Sequence, residues 1–484
     1  MISILYLILL PLVFGLLISL LNKKWSSGIA LAGAGSTLFF FIFFLSQFDS
    51  SKKIENEFSM PWIPGINVDL HFGLDSLGLF MILLSTLVVP VGILASIKYS
   101  NYRRKSYYVL MMTGLSALIG FFSAQNDLTF YVFFELALLP FYFMVLMYGG
   151  ADRNRALFKF FIYTVFGSFL MLAAIIYLRS LATIGIPSDW SMLYDIELSL
   201  KSQTWILAGL FIAFAIKSPL FPFHTWQADL YSEGDRPAII IIAAVLSKMG
   251  VFGLLRFFNV VEDAIHQYQT PLIVLCIIGI LYAALIAWRQ SSMTRLLAYS
   301  SLSHMGMIAA GIFTASLSGL QGSLFQMLSH GLVAAGLFMV VDSIMFRTNS
   351  SSIYGSSGIA SSQPRLATYF FVLCLGAVGL PLTSGFIGEF DILLGLTGVK
   401  LIFALLAGLS IILGAIYTFR FYQKSMFGEA NSTNSNWSPI TLNEEYALII
   451  LSILVIALGF FPASWLDLAD QAVSSFVQIK SKLQ

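Results

Sequence analysis

The sequence predicts an all-α polytopic membrane protein of about fourteen transmembrane helices, arranged as two inverted five-helix repeats, with the seventh and twelfth helices broken. Three observations lead there. Apolar types make up 58% of the 484 residues and charged types only 10%, at a mean hydropathy of +0.87. Soluble proteins carry about 45–50% and about 25%. Apolar runs of ~20 residues recur along the whole chain, each long enough to cross roughly 30 Å of hydrocarbon as a helix. Two of these runs hold Pro and Gly beside ionisable side chains, in segments of opposite direction. Composition also removes other classes. The 44 Phe, 20 Tyr and 8 Trp exclude disorder. A net charge of +2 with no basic stripe excludes a nucleic-acid binder. Cys276 and Cys374 sit inside apolar runs, so neither a disulfide nor a metal site is expected.

The runs fall at 2–21, 28–46, 76–97, 107–124, 129–148, 157–178, 204–223, 238–258, 271–288, 296–314, 319–345, 367–394, 401–419 and 446–466. Lipid offers the backbone no partners and the runs lack barrel-strand alternation, so each is helical. The first run has no basic leader and no small-residue cleavage site, and is kept as a mature helix. Loops after odd-numbered helices hold Lys23, Lys24, Lys98, Arg103, Arg104, Lys105, Arg153, Arg155, Arg236, Arg289, Arg295 and Arg347, among others. Loops after even-numbered ones hold far fewer, among them Lys52, Lys53, Lys201 and Lys400. The positive-inside rule puts the odd loops in the cytoplasm and both termini outside. The gaps 47–75, 179–203 and 420–445 are short loops, and the tail 467–484 is mildly amphipathic. The expected division is residues 1–106 (helices 1–3), 107–258 (helices 4–8, first half of the repeat), 271–424 (helices 9–13, second half) and 446–484 (helix 14 and tail).

Helix 7 contains Lys217-Ser-Pro219-Leu-Phe-Pro222-Phe-His224, and helix 12 contains Gly379-Leu-Pro381-Leu-Thr-Ser-Gly385. Proline removes a donor and clashes with the preceding turn, so both helices should be interrupted. Their carbonyls must then be buried in protein or line a wet cavity. Paired broken helices in oppositely oriented halves mark an inverted-repeat transporter. The plainer reading is that Pro and Gly are common in membrane helices.

Six ionisable residues lie inside the runs: Glu135, Lys217, Lys248, His304, His330 and Glu389. Each charge at the bilayer centre costs at least ~2.5–3.5 kcal/mol on insertion scales, so these residues must face the bundle interior. Carboxylate, amine and imidazole can all be brought to titrate near neutrality. A file of them is what proton relay requires. No phosphate loop, metal cluster or large polar cavity signature selects another solute. Plainer readings stand beside this one. Glu135 and Lys217 could form a static ion pair, Lys248 could be helix glue, and His304 and His330 could be hydrogen-bonded core histidines. Glu389 could be a structural partner of a break. Lys159 and His224 lie nearer run ends and rank second. Asp342 and Asp391 receive no role, and Asp229 and Glu233 fall in a solvated loop.

At these residues the chain resembles a known family. Phe223-His-Thr-Trp226, Val245-Leu-Ser-Lys248-Met-Gly-Val-Phe-Gly-Leu-Leu-Arg256 and Ala298-Tyr-Ser-Ser-Leu-Ser-His304-Met-Gly resemble the antiporter-like membrane subunits of NADH:quinone oxidoreductase, respiratory complex I. The likeness runs from about residue 62 to 462. Related chains occur in multisubunit sodium/proton antiporters and membrane-bound hydrogenases. The M-type pattern is nearest: Glu389 in Gly385-Phe-Ile-Gly-Glu389-Phe stands where other types carry Lys. Phe72-Gly-Leu-Asp75-Ser-Leu also fits it, and the chain ends soon after helix 14. The resemblance implies Glu135 and Lys217 as an essential pair, Lys248, His304 and His330 as the central relay, and Glu389 as the exit residue. It implies L-type and N-type subunits and lipid as neighbours in a bacterial plasma membrane. NADH, FMN, iron–sulfur clusters and quinone are then held elsewhere in the complex. This chain shows no dinucleotide fingerprint and no cysteine set. In the resulting cycle Lys217 passes its proton toward Lys248, then His304 and His330 hand it to Glu389. The alternatives are a sodium/proton antiporter subunit and a non-transporting scaffold. The chain departs from the family pattern at Gln227-Ala228, and at Tyr231-Ser-Glu233-Gly-Asp235-Arg236, where the usual loop histidine is Tyr231. No proton role carries over to that position.

Overall fold

A computed structural model describes residues 3–49, 52–99, 104–181, 189–355, 357–429 and 438–478. The chain opens with α1 (Leu5–Leu20) and α2 (Ser26–Gln47). A hairpin of β1 (Glu55–Ile63) and β2 (Val68–Leu74) follows, then α3 (Ser76–Ile97) and α4 (Lys105–Phe122). The first half continues with α5 (Asp127–Leu136), α6 (Leu138–Tyr148), α7 (Arg153–Leu181), α8 (Trp190–Tyr194) and α9 (Leu200–Lys217). It ends with α10 (Gln227–Glu233), α11 (Arg236–Ile241), a π-helical turn at Ile242–Leu246, and α12 (Lys248–Arg256). Then come α13 (Glu262–Gln267), α14 (Gln269–Arg289), α15 (Met293–Phe313) and α16 (Leu317–Thr348). The chain finishes with α17 (Ile359–Ser362), α18 (Pro364–Ala377), α19 (Ser384–Val399), α20 (Leu401–Met426), α21 (Leu442–Phe460) and α22 (Ala463–Gln478).

Among the described residues twelve spans are long and apolar enough to cross a membrane, and α1 and α18 are shorter apolar helices. Every apolar run of the sequence contains helix. The hairpin is an addition to the all-α expectation: it fills part of the 47–75 loop, pairing antiparallel with Ser59 opposite His71. The tail, expected to be mildly amphipathic, forms α22.

The central stretches of Arg236–Arg256 and Leu317–Thr348 are wholly buried, and those of Ser76–Ile97 and Met293–Phe313 nearly so. They form the interior. Arg153–Leu181 and Leu401–Met426 turn most of their length outward, with Phe158, Phe166, Phe169 and Leu401 exposed. That distribution suits a chain whose outer face meets lipid or other membrane proteins.

Both expected breaks are present, and they are built alike. The helix ending at Lys217 resumes only at Gln227. Pro219 gives no N–H to Ala215, and Leu220 N–H reaches back to the Ala215 carbonyl instead at 2.7 Å. The Ile216 carbonyl then takes the Trp226 indole N–H at 3.0 Å. In the second break α18 ends at Ala377 and α19 starts at Ser384, with Leu380 N–H reaching back five residues to Leu375 at 3.1 Å. Gly379 and Leu382 adopt φ of +68° and +74° there.

Candidate functional site

Glu135, Lys217 and Lys248 sit where helices are irregular. Pro140 lies one turn beyond Glu135, and the helix is interrupted at Ala137 between α5 and α6. Lys217 is the last residue of α9. Its ammonium donates to the Phe134 carbonyl at 3.2 Å and lies 4.2 Å from the centre of the Phe134 ring. Lys217 therefore leans on the residue preceding Glu135. Among the described residues no hydrogen bond or ion pair joins Glu135 to Lys217, and Glu135 is half-buried. The static ion pair considered from sequence is not formed.

Lys248 is completely buried immediately after the π-helical turn. There Ser247 N–H bonds to Ile242, five residues back. This register shift sets the Ala243 carbonyl 2.8 Å from the Lys248 ammonium, with Ser247 Oγ at 3.2 Å. Single π turns of this kind mark functional positions in helices.

His330 stands in the buried middle of α16, which packs against that turn. At Gly331 a Cβ would lie 3.0 Å from the Ala244 carbonyl, so glycine lets the backbones approach beside His330. The two imidazole rings lie 5.1 Å apart at 36°. A small cavity of about 20 Å³ touches both rings, Ser300 and Ser301. That is room for one water molecule. His330 Nδ1 and Ser301 Oγ have no protein partner.

Glu389 on α19 ends this file. Its Oε1 lies 3.1 Å from His304 Nδ1 and accepts from Gln326 Nε2 at 3.3 Å. Its other oxygen rests against Gly379 in the break, where a Cβ would come within 2.5 Å of it. Positive φ and this close approach both require glycine there.

The structure thus brings His330, His304 and Glu389 together, with the two imidazoles facing each other and His304 meeting Glu389, while Lys248 lies buried beside the π turn against which α16 packs. α16 packs against both the π turn and α19, and α15 packs against α12, α16 and α19. Lys217 approaches from the neighbouring break, where Val251 N–H of α12 donates to Ser218 Oγ at 2.7 Å. The second-rank residues fall outside the file. Lys159 donates to Thr225 O at 2.6 Å and Asp229 Oδ2 at 2.9 Å, at a half-exposed rim. Asp229, read as solvated, also pairs with Arg295 at 3.0 Å. His224 is buried against Phe221 and Tyr282.

Sequence reasoning missed a charged cluster near the ends of α3, α16 and α21. Lys98 bridges Asp342 at 2.7 Å and Glu444 at 2.8 Å; Glu444 also pairs with Arg347 at 2.7 Å, and Tyr99 donates to Asp342 at 2.8 Å. The four charged side chains are almost fully buried. Beside it opens a cavity of about 350 Å³ lined by Tyr99, Asp235 and Arg236. No local motif signals it, because Lys98 and Glu444 lie 346 residues apart.

The family described as "NADH:quinone oxidoreductase/Mrp antiporter, TM" matches residues 124–414. An NADH-quinone oxidoreductase subunit M of Rickettsia bellii is 37% identical over 442 residues, covering 90% of this chain and 89% of the relative. A chain in the structure of respiratory complex I from Thermus thermophilus with bound NADH superposes with a TM-score of 0.89 at 32% identity. The match covers 98% of this chain and 100% of that one. A chain of the Mrp complex from Dietzia shares the fold, with a TM-score of 0.87 at 19% identity over 98% and 97% of the two chains. The chain described here belongs to the NADH:quinone oxidoreductase/Mrp antiporter family of membrane subunits.

Proposed function

We propose that this chain is the proton-translocating, antiporter-like M-type subunit of an NADH:quinone oxidoreductase, and that Glu135, Lys217, Lys248, His330, His304 and Glu389 carry the proton. The observation that carries the reading is the cluster of two facing imidazoles with a carboxylate against one of them, on helices packed beside the buried Lys248. The relatives named as subunit M support the parent complex. NADH, flavin, iron–sulfur clusters and quinone belong to other subunits, and this chain is a non-redox part of the enzyme. Its neighbours are the L-type and N-type subunits. It crosses a bacterial plasma membrane fourteen times as two inverted five-helix repeats (107–258 and 271–424), with both termini outside. The matching i→i−5 bonds at the two breaks support that pseudo-symmetry.

Energy arrives electrostatically or conformationally from neighbours. Moving one proton against 100 mV costs about 2.3 kcal/mol. A unit charge displaced from ~4 Å in a site of effective ε ≈ 20 changes the energy by about 4 kcal/mol, which is enough. Lys217 is poised for such control. One hydrogen bond and one aromatic face hold its ammonium, and the Glu135 carboxylate is near but unbound. When Glu135 is neutralised or drawn away, Lys217 releases its proton toward Lys248. His330 accepts from Lys248 and passes it, across the water-sized cavity, to His304. The imidazole then gives its Nδ1 proton to Glu389.

The test is NADH-driven proton pumping in membrane vesicles carrying Lys217→Ala, with quinone reduction followed in parallel. Pumping and coupled electron transfer should both collapse while the complex assembles. Unchanged rates would make the lysine structural. The shared fold of the Dietzia Mrp chain sustains one second reading, a sodium/proton antiporter subunit. Sodium-dependent proton exchange without NADH would favour it.

A further inference from the structure

Outside the membrane spans the hairpin carries a titratable group that the relay does not use. His71 on β2 is 4% exposed, yet both its ring nitrogens meet carboxylates. Nδ1 lies 2.7 Å from Asp189 Oδ1, just before α8, and Nε2 lies 2.6 Å from Glu57 Oε1 on β1. A neutral imidazole has one N–H and one lone pair, so it satisfies only one of these contacts. The doubly protonated ring satisfies both. The register of β1 shifts between Glu55 and Phe58, and such irregularities re-aim side chains. Here the irregularity holds Glu57.

The same residues fasten the start of α5. Gln125 N–H donates to His71 O at 3.0 Å, and His71 N–H meets Thr129 Oγ1 at 3.4 Å. Asn126 caps α5 through Thr129 N–H and donates to Asp69 O at 2.6 Å. Asn126 also forms a β-bridge with Asp189. Other charges on these elements are engaged elsewhere: Asp69 with Ser59, Asp127 with Arg179, Asp75 with Arg256, and Glu55 with Lys52.

We propose that Glu57, His71 and Asp189 form a proton-operated clamp, with the proton itself as ligand, that fixes the start of α5 to the hairpin. Protonated, the imidazolium ties β1, β2 and the segment before α8 together. Deprotonated, it leaves one carboxylate facing a ring lone pair, and the three elements separate more readily. Burial favours the neutral ring, but the hydrogen bonds and charges of Asp189 and Glu57 outweigh it and raise the pKa above its ordinary 6.5. The clamp is therefore fully effective below about 6.5 and is lost as pH climbs past the raised native value. α5 carries Glu135, so His71 is a positioning residue for the relay. In the proposed orientation the hairpin lies on the face where protons emerge, and their accumulation would tighten the clamp. The clamp stands on its own geometry, and only this consequence for transport rests on the proton-translocating reading.

Hydrogen–deuterium exchange of the intact complex between pH 6 and 9, corrected for intrinsic exchange, tests it on peptides covering 55–74 and 124–130. Wild-type protection should fall with rising pH by at most about tenfold per pH unit. His71→Gln should give weak protection without that pH dependence. If His71→Gln does not assemble, Glu57→Gln removes one carboxylate and should move the wild-type transition to lower pH. A flat wild-type profile, or a mutant profile identical to wild type, overturns the clamp. Pumping by Lys217→Ala is measured in parallel. Normal pumping there sinks the translocation reading and leaves the clamp to be judged by exchange alone.

Discussion

Glu389 shows how much a single position decides. Its carboxylate meets an imidazole, an amide and a backbone that bends under φ of +68° at Gly379. Glu389→Gln keeps the size and the polar contacts but cannot accept a proton. It should abolish NADH-driven pumping in vesicles while assembly, judged by native gels, stays normal. Gly379→Ala tests the seat of that carboxylate. The left-handed conformation costs an L side chain roughly 1–2 kcal/mol, and the new methyl would collide with Glu389 Oε2. The expected result is reduced thermal stability together with reduced pumping. A fall in stability with normal pumping would show that the position of Glu389 is not critical.

At the scale of elements, the two broken helices and the π turn are stable because their displaced carbonyls find partners. Ile216 is paired by the Trp226 indole, Ala215 by Leu220 N–H, and Ala243 by the Lys248 ammonium. Trp226→Phe keeps the aromatic contact with Phe160, whose ring centre lies 4.6 Å away, but removes the indole N–H. A buried carbonyl left unpaired costs about 1–3 kcal/mol. Thermal unfolding of the purified complex should register that loss, and pumping per assembled complex should fall with it because Lys217 ends the same helix. An unchanged melting profile would mean that water replaces the indole.

Across the whole molecule, distant segments are joined through buried charge. Lys98 at the end of α3 holds Asp342 of α16 and Glu444 of α21. Lys98→Met would remove the cation that two buried carboxylates share, leaving Glu444 to Arg347 and Asp342 to Tyr99; breaking a buried pair costs about 3–5 kcal/mol, an upper bound where such partners remain. The expected outcome is loss of assembled complex, measured as subunit abundance in membranes. Lys98→Met with Asp342→Asn should recover part of it. Full assembly of the single variant would contradict a structural role for the cluster.

The sequence by itself determined the helical membrane architecture, since apolar run length and the need to satisfy every backbone group in lipid leave one solution. It also determined the two breaks, because proline cannot donate, and it picked out the buried ionisable residues, because each carries a cost of insertion. Tertiary structure alone decided which of them meet. His304 meets both His330 and Glu389, residues far from it in the chain, because helix packing and not chain order sets neighbours. Glu135 does not touch Lys217, because the Phe134 carbonyl and ring take the ammonium. The π turn at Ile242–Leu246 is invisible in an unbroken apolar run, where no proline or glycine marks the shift in register. The hairpin clamp and the Lys98 cluster were equally hidden. Their residues are ordinary loop or helix-end polar types, and only the fold brings His71 within 2.7 Å of a carboxylate 118 positions away.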